Sequence, residues 1–323
     1  MLCELDGGGG ETVSINPVCL ILQPVHAVAA ETLTAGGLRV VAGPENAGAV
    51  AVITRNAPVD AAFMDRHPAL KVIAKHGAGL DNIDLAEARR RGIKVVFTPG
   101  ANAQAVAEHA LALILALAKR LRPADRAVRG DDFGYKFRVR FDELAGKRLG
   151  IVGLGDSGRR LSQMARLGMG MEVAAFSPSV PQELFSTLCV QRSDSLMALL
   201  ETSDVVSLHV PSRPGARGMI GRAELAALRP GALVVSVGRG GVVDEAALAD
   251  AVAAGHVGGA GLDVFDQEPP RPDNPLFGLD NVILTPHVAG NTDAALQRMA
   301  RGVATQILDV LAGRPAAHPA PVD

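Results

Sequence analysis

The sequence predicts an α/β protein made of two doubly wound parallel-sheet domains, and three observations carry that prediction. Short β-branched, apolar runs alternate with helical stretches, the pattern of parallel strands joined by crossover helices. The alternation starts twice, near residue 18 and again at Arg148. The chain has 323 residues, 48% of them hydrophobic and 20% charged, which suits about two domains with a core each and excludes intrinsic disorder.

Taken in order, residues 1–16 read as a mobile tail, because Gly7–Gly10 cannot be ordered cheaply. Strands are expected in VCLILQP (18–24), LRVVAG (38–43), AVAVITRN (49–56), KVIAKHG (71–77) and IKVVFTP (93–99). Between them IDLAEARRRG (83–92) is the clearest helix, with Gly92 as its stop. A long Ala/Leu-rich helix over 101–121, apolar on most faces, is ended by Pro123. The basic stretch 120–148 reads either as a solvated surface connection or as an interdomain or subunit contact.

The second series of strands is RLGIVG (148–153), MEVAAF (171–176), DVVSLHVP (204–211), ALVVSVGR (232–239), GAGLDVF (259–265) and NVILTPH (281–287). The last helix, 292–312, resembles none of these units and is expected to pack back on the first domain, with Gly290 and Asn291 as a hinge. The expected domains are therefore 17–121 with 292–323, and 122–291.

Composition removes several function classes. Lys and Arg total 32 against 34 Asp and Glu, a net charge of −2, so no basic field draws in nucleic acid. Base-stacking platforms are scarce, with no Trp, one Tyr and nine Phe. Cys3, Cys19 and Cys189 are too few and scattered for a disulfide framework or a zinc site, and no metal is expected. The N-terminus lacks a basic region followed by an apolar run, and the longest apolar run, 110–118, is half a bilayer at most. A reduced, cytoplasmic protein without a membrane partner is expected.

The first chemistry-bearing motif is Gly153-Leu154-Gly155-Asp156-Ser157-Gly158, a G-x-G-x-x-G placed directly after a strand and before a helix. In a dinucleotide site the first glycine makes the turn, the second admits the pyrophosphate, and the third lets helix pack on strand. The helix N-terminus adds free N–H groups and the positive end of its dipole. The second domain is thus expected to be a Rossmann-type coenzyme domain, and the first a flavodoxin-like substrate domain. The strand MEVAAF should end in an acid for the adenosine ribose hydroxyls; Ser177-Pro178-Ser179 stands there instead. Two hydroxyls tolerate a 2′-phosphate that an acid would repel, and Arg159 and Arg160 lie nearby. This points to NADP, or to loose selectivity between NADP and NAD.

Further candidates stand at strand C-terminal ends, where ligands collect in open α/β sheets. They are Arg239, Asp263, Glu268 and His287. An arginine, a histidine and an acid beside a dinucleotide loop make a catalytic constellation.

Seven stretches in order, KVIAKHGAGLDNID, TPGANAQAVAEHALAL, ELAGKRLGIVGLGDSG, SLHVPSRP, RGGVVDEAAL, GAGLDVFDQEPP and TPHVAGNT, resemble the D-isomer-specific 2-hydroxyacid dehydrogenases. That family includes phosphoglycerate dehydrogenase and hydroxypyruvate/glyoxylate reductase, and the resemblance covers residues 71–121 and 148–290. It implies hydride transfer between a nicotinamide and a small 2-keto or 2-hydroxy acid, in a cleft between two domains. On that reading Arg239 clamps the substrate carboxylate and His287 is general acid or base. Glu268 bonds the other nitrogen of His287, fixing the tautomer and favouring the imidazolium. Gly77, Ala78 and Gly79 offer backbone N–H groups to the carboxylate, and Asp263 orients the nicotinamide carboxamide. Val210, Pro211, Val237 and Gly238 line the adenosine and ribose, and Ala289 and Gly290 complete the cofactor site. Asn102 and Val106 face the cleft, the first toward substrate and the second toward cofactor. Arg55 is a further substrate candidate, while His76 and His209 read as structural or cofactor-lining.

The departures matter as well. Ser177 replaces the acid of NAD-dependent members, and no regulatory domain follows Ala312, which argues against the allosteric form of phosphoglycerate dehydrogenase. The segment bearing Phe133, Tyr135, Phe137 and Phe141 embraces a second subunit in relatives, so a homodimer is expected. Two rivals stand beside the dehydrogenase reading: a dinucleotide-sensing, corepressor-like interaction protein on the same fold, and a formate dehydrogenase-like enzyme.

Overall fold

The computed structural model describes residues 16–211 and 215–321. The expected N-terminal tail lies almost wholly outside them, as do residues 212–214 of the SLHVPSRP stretch. By packing, the described chain forms two units, one from residues up to Thr98 together with Ala300 onward, the other from Pro99 to Met299.

The first unit holds five parallel strands, β1 (Val18–Ile21), β2 (Arg39–Ala42), β3 (Ala49–Thr54), β4 (Val72–Lys75) and β5 (Lys94–Val96), in the order β2-β1-β3-β4-β5. This is the flavodoxin-like strand order, whose switch point lies between β1 and β3. Both sheet faces are apolar because consecutive residues point to opposite sides, and both sides are covered. Cys19, Ile53, Ala74 and Val96 pack with helix Val28–Ala35 and with Ala300, Val303 and Ile307 of the last helix. Leu20, Val52, Ile73 and Val95 pack on the other side with Phe63, Met64 and Ala88. The expected helix over 83–92 is Leu85–Arg90, capped by the Asp84 carboxylate, which accepts from the Glu87 N–H at 2.9 Å; Gly92 follows at φ 72°.

The second unit holds seven parallel strands, β6 (Arg148–Val152), β7 (Glu172–Phe176), β8 (Gln191–Arg192), β9 (Val205–Leu208), β10 (Ala232–Ser236), β11 (Val257–Leu262) and β12 (Val282–Leu284). Their order, β12-β11-β10-β9-β6-β7-β8, is a Rossmann sheet with its switch point between β6 and β9. One face packs with helices Leu196–Thr202, Arg222–Ala227 and Glu245–Ala253, the other with Ala103–Ala118, Asp156–Met169 and Gln182–Leu188.

The packing differs from the sequence expectation in four places. The helix Ala103–Ala118 lies on the Rossmann sheet, so the first division falls after Thr98 and not after residue 121. The last helix, Asp293–Leu311, is shared: Ala295 and Met299 pack with Ala105 in the second unit, and only residues from Ala300 on pack in the first. Pro123 does not end the long helix. That helix stops at Ala118, Arg120 turns to φ 45°, and Pro123 sits in the first turn of a new helix, Leu121–Arg129, where its missing N–H costs nothing. The strand β8 was not expected, since two polar residues give no apolar run.

Among the described residues no helix is long and apolar enough to cross a membrane, and no group of three or more His, Cys, Asp or Glu is placed to hold a metal. A 3-10 turn, Phe133–Phe137, leaves Phe133 and Phe137 71% and 83% exposed.

Candidate active site

The glycine loop joins β6 to helix Asp156–Met169, and each glycine answers to a different constraint. Gly153 has φ 94°, and a Cβ there would stand 2.9 Å from the His209 carbonyl oxygen. A Cβ on Gly158 would meet the Gly153 carbonyl oxygen at 2.3 Å, so helix and strand pack too closely for any side chain. Gly155 faces open space, with no atom within 4 Å of an added Cβ. Crowded first and third glycines around an open second one fit a pyrophosphate seated over the helix N-terminus.

His209 ties this loop to the sheet. Its Nδ1 lies 2.9 Å from Ser157 Oγ and its Nε2 3.0 Å from Ser207 Oγ. The ring is buried, and burial pushes its pKa down from 6.5 to about 4, so it stays neutral with one nitrogen donating and the other accepting. Val210 and Val237 are buried beside it, Leu154 is fully buried, and Pro211 is exposed. Gly238 belongs to the same approach, since a Cβ there would lie 2.6 Å from the Val210 carbonyl oxygen.

Arg239 follows Gly238 and precedes Gly240, where a Cβ would fall 1.6 Å from the Phe265 carbonyl oxygen. Two glycines therefore let the 238–240 segment run against the ends of β9 and β11, with a half-buried arginine between them. Its Nη1 donates to the Gly238 carbonyl at 2.8 Å.

His287 and Glu268 meet, with Nδ1 and Oε2 2.7 Å apart. Since a carboxylate only accepts, Nδ1 carries the hydrogen and Nε2 is left to take or give a proton. Partial burial pushes the Glu268 carboxyl up, but the His287 hydrogen bond and charge, the Phe265 N–H at 3.1 Å and the Arg239 charge outweigh it, and the net shift is downward. Glu268 is thereby an anion that feels both Arg239 and His287.

His287 itself holds φ 52°, a left-handed backbone uncommon outside glycine. The turn is held from Asp263. The His287 N–H donates to the Asp263 carbonyl at 2.9 Å, and the Val288 and Ala289 N–H groups donate to its two carboxylate oxygens at 2.8 Å each. Thr285 Oγ1 adds a third donor at 2.6 Å. Asp263, expected to orient a nicotinamide carboxamide, is fully buried, and its carboxylate accepts three hydrogen bonds from the 285–289 turn. Asn102 stands at the start of the long helix, and a Cβ on Gly290 would lie 2.7 Å from its Nδ2. Val106 is half-buried one turn further on.

The residues expected to face the adenosine give a mixed picture. Ser177 is buried just after β7, and Ser179 is exposed. The two arginines expected to attract a phosphate are otherwise engaged: Arg159 pairs with Asp156 at 3.0 Å, and Arg160 donates to Gln104 Oε1 at 3.1 Å. Arg192, which the sequence did not single out, lies on β8 with Nη1 donating to the Val180 carbonyl at 3.2 Å and its guanidinium over the Phe185 ring. Arg192 thus brings a cation from β8 against the Ser177–Val180 turn.

In the first unit, Arg55 follows β3 on a loop clamped by Gln23. The Gln23 Oε1 accepts the backbone N–H groups of Arg55, Asn56 and Ala57 at 3.1, 2.6 and 2.8 Å. Lys75 Nζ donates to the Arg55 carbonyl and to Asn82 Oδ1. Arg55 is half-buried, and that burial lowers its pKa. Gly77, at φ 145°, bonds Thr98 through its N–H at 3.1 Å; Ala78 is exposed, and His76 is buried.

The second unit thus combines a Rossmann sheet, a crowded-open-crowded glycine loop and a histidine–carboxylate pair whose acid feels the charge of a strand-end arginine. Residues 111–289 match the family model described as D-isomer specific 2-hydroxyacid dehydrogenase, NAD binding domain. The chain is 40% identical over 264 residues to D-3-phosphoglycerate dehydrogenase of Archaeoglobus fulgidus, covering 82% of this chain and 50% of that protein. It is 39% identical over 252 residues to the hydroxypyruvate reductase of Thermotoga maritima, covering 77% of this chain and 80% of the relative. The structure of D-lactate dehydrogenase from Aquifex aeolicus complexed with NAD and lactic acid superposes with a TM-score of 0.81 at 29% identity, covering 92% of this chain and 96% of that one. This chain belongs to the D-isomer-specific 2-hydroxyacid dehydrogenase family. It spans half the length of the phosphoglycerate dehydrogenase it matches.

Proposed function

We propose that this protein is a nicotinamide-dependent dehydrogenase of small D-2-hydroxy acids, reducing the corresponding 2-keto acids in the reverse direction. The observation that carries the reading is the His287–Glu268 pair at 2.7 Å, within reach of the Arg239 charge and in the same unit as the glycine loop. When bound, the reduced nicotinamide supplies the hydride. Gly153 to Gly158 hold the pyrophosphate, and Val210, Pro211, Val237, Gly238, Ala289, Gly290 and Val106 line the rest of the cofactor. Arg239 takes the substrate carboxylate in its planar fork and draws electron density from the carbonyl. His287 gives the Nε2 proton to the carbonyl oxygen in reduction and takes it back in oxidation, while Glu268 holds the ring by Nδ1. Asn102, Arg55 and the backbone at Gly77, Ala78 and Gly79 are the further substrate contacts.

The substrate is of the glyoxylate, hydroxypyruvate or 3-phosphoglycerate type. NADP(H) serves at least as well as NAD(H), because a serine and not an acid follows β7 and Arg192, on β8, donates to the turn that carries it. The protein works as a cytoplasmic homodimer joined through the segment that exposes Phe133 and Phe137. Steady-state assay of glyoxylate, hydroxypyruvate, phosphohydroxypyruvate and phenylpyruvate against NADH and NADPH tests the proposal. Cofactor binding without turnover of any keto acid would favour the corepressor-like reading. A preference for NADH of more than about tenfold, roughly 1.4 kcal/mol, would overturn the reading of Ser177 and Arg192.

A further inference from the structure

We infer that His109 is a positioning residue of this site, its Nε2–H holding Thr285 and, through Thr285 and Asp263, the turn that presents His287. The inference rests on His287 being the acid–base group.

Register brings His109 there. Residues 259, 261 and 263 lie on one face of β11 and its extension, because side chains alternate along a strand. Residues 117, 113 and 109 lie one turn apart on one face of helix Ala103–Ala118. The two ladders meet rung by rung. A Cβ on Gly259 would lie 3.2 Å from Leu117 Cδ2, one on Gly261 would lie 3.1 Å from Leu113 Cβ, and the third rung sets His109 Nε2 3.6 Å from Asp263 Oδ1. Two glycines thus let the helix approach close enough for the third rung to be polar.

The hydrogens can be assigned by elimination. Asp263 is fully buried and accepts from Thr285 Oγ1 at 2.6 Å and from the Val288 and Ala289 N–H groups at 2.8 Å, so it is a carboxylate with no hydrogen to give. Thr285 has one hydroxyl hydrogen, and it goes to Asp263. The 3.0 Å contact between Thr285 Oγ1 and His109 Nε2 must therefore take its hydrogen from His109. His109 Nε2–H, Thr285 O–H and the Asp263 carboxylate form a directed chain that ends on the amides just after His287. Loss of the first donor frees Thr285 to rotate, and the His287 turn, in its left-handed conformation, loses part of what holds it.

The test uses the full chain with His109→Leu, His109→Gln, Thr285→Val and the His109→Leu/Thr285→Val pair. Leucine fills the space without a donor, and the glutamine amide restores one near the Nε2 position. His109→Leu is expected to lower kcat for keto-acid reduction by about tenfold or more while the keto-acid KM stays within about twofold. His109→Gln is expected to recover to within about threefold of the parent, and the double variant to be no worse than His109→Leu alone. Equal losses in the Leu and Gln variants, or a lowered Tm in His109→Leu with kcat intact, would make His109 a packing residue and overturn the inference. Nitrogen-15 NMR of the imidazole gives a readout apart from turnover: an Nε2–H tautomer at His109 is expected, and an Nδ1–H tautomer overturns it. Should the parent reduce no keto acid, the functional reading falls, and the tautomer alone then decides the hydrogen assignment.

Discussion

Acid should weaken this protein through His209, and by an amount that can be worked out. The ring is buried, bonded to a serine hydroxyl at each nitrogen, and its pKa falls from 6.5 to about 4. With the folded value below the unfolded one, the unfolded chain takes up the proton first as pH falls. The stabilisation is fully present above pH 6.5 and is lost progressively toward pH 4. At about 1.4 kcal/mol per pKa unit, His209 accounts for about 2–3 kcal/mol of stability lost between pH 7.5 and 4.5. Urea unfolding followed by far-ultraviolet circular dichroism measures it, a suitable signal for a chain without Trp. His209→Gln is the control, because its amide is neutral throughout and can still bond a serine. The variant is expected to be less stable at pH 7.5 and yet to lose about 2–3 kcal/mol less than the parent on acidification. Stability curves that run parallel for the two proteins would refute the assignment of a buried, neutral His209.

Three further outcomes follow from the same geometry. Arg239→Lys keeps the charge but loses the bidentate fork, so kcat/KM for the keto acid should fall by about a hundredfold or more, with cofactor affinity measured by fluorescence unchanged. Gly155→Val should leave Tm alone and abolish cofactor binding, whereas Gly158→Ala, which drives a Cβ toward the Gly153 carbonyl, should cost about 1–3 kcal/mol in urea unfolding; the reverse pattern would exclude this loop as a pyrophosphate site. Glu268 has a lowered pKa and so remains an anion as pH falls through 4.5; Glu268→Gln removes that anion, and the alkaline fall of kcat/KM for reduction should begin at lower pH than in the parent, identical profiles meaning that the pair is not coupled.

Much of this fold is legible because its signals are local. Runs such as AVAVIT and ALVVS are apolar on both faces and read as buried parallel strands without any knowledge of partners. The glycine loop is equally plain, since turn, open approach and close packing each demand glycine at a fixed spacing. What escaped was set by contacts distant in sequence. Two polar residues become β8 only because β7 offers them an edge, and Pro123 opens a helix only because Arg120 has already turned the chain. The sequence shows Asp263 at a strand end but not its three donors, all more than twenty residues later, by which it holds the 285–289 turn. His109 gave a signal that could have been used. Its four-residue spacing to Leu113 and Leu117 mirrors the two-residue spacing of Gly259, Gly261 and Asp263, but two periodicities must be aligned to notice it.

The left-handed backbone at His287 also limits where mutation can take this position. Replacement by Asn or Gly leaves the turn comfortable, because both accept a positive φ at small cost, whereas Val or Ile would be strained by it. His and Asn codons differ by a single base, so on the proposed function a structurally silent neighbour of this chain is one that has lost the proposed acid–base ring and kept the glycine loop. If His287 is the acid–base group proposed above, divergence from catalyst to pure cofactor binder is one substitution deep at this position, with the fold untouched.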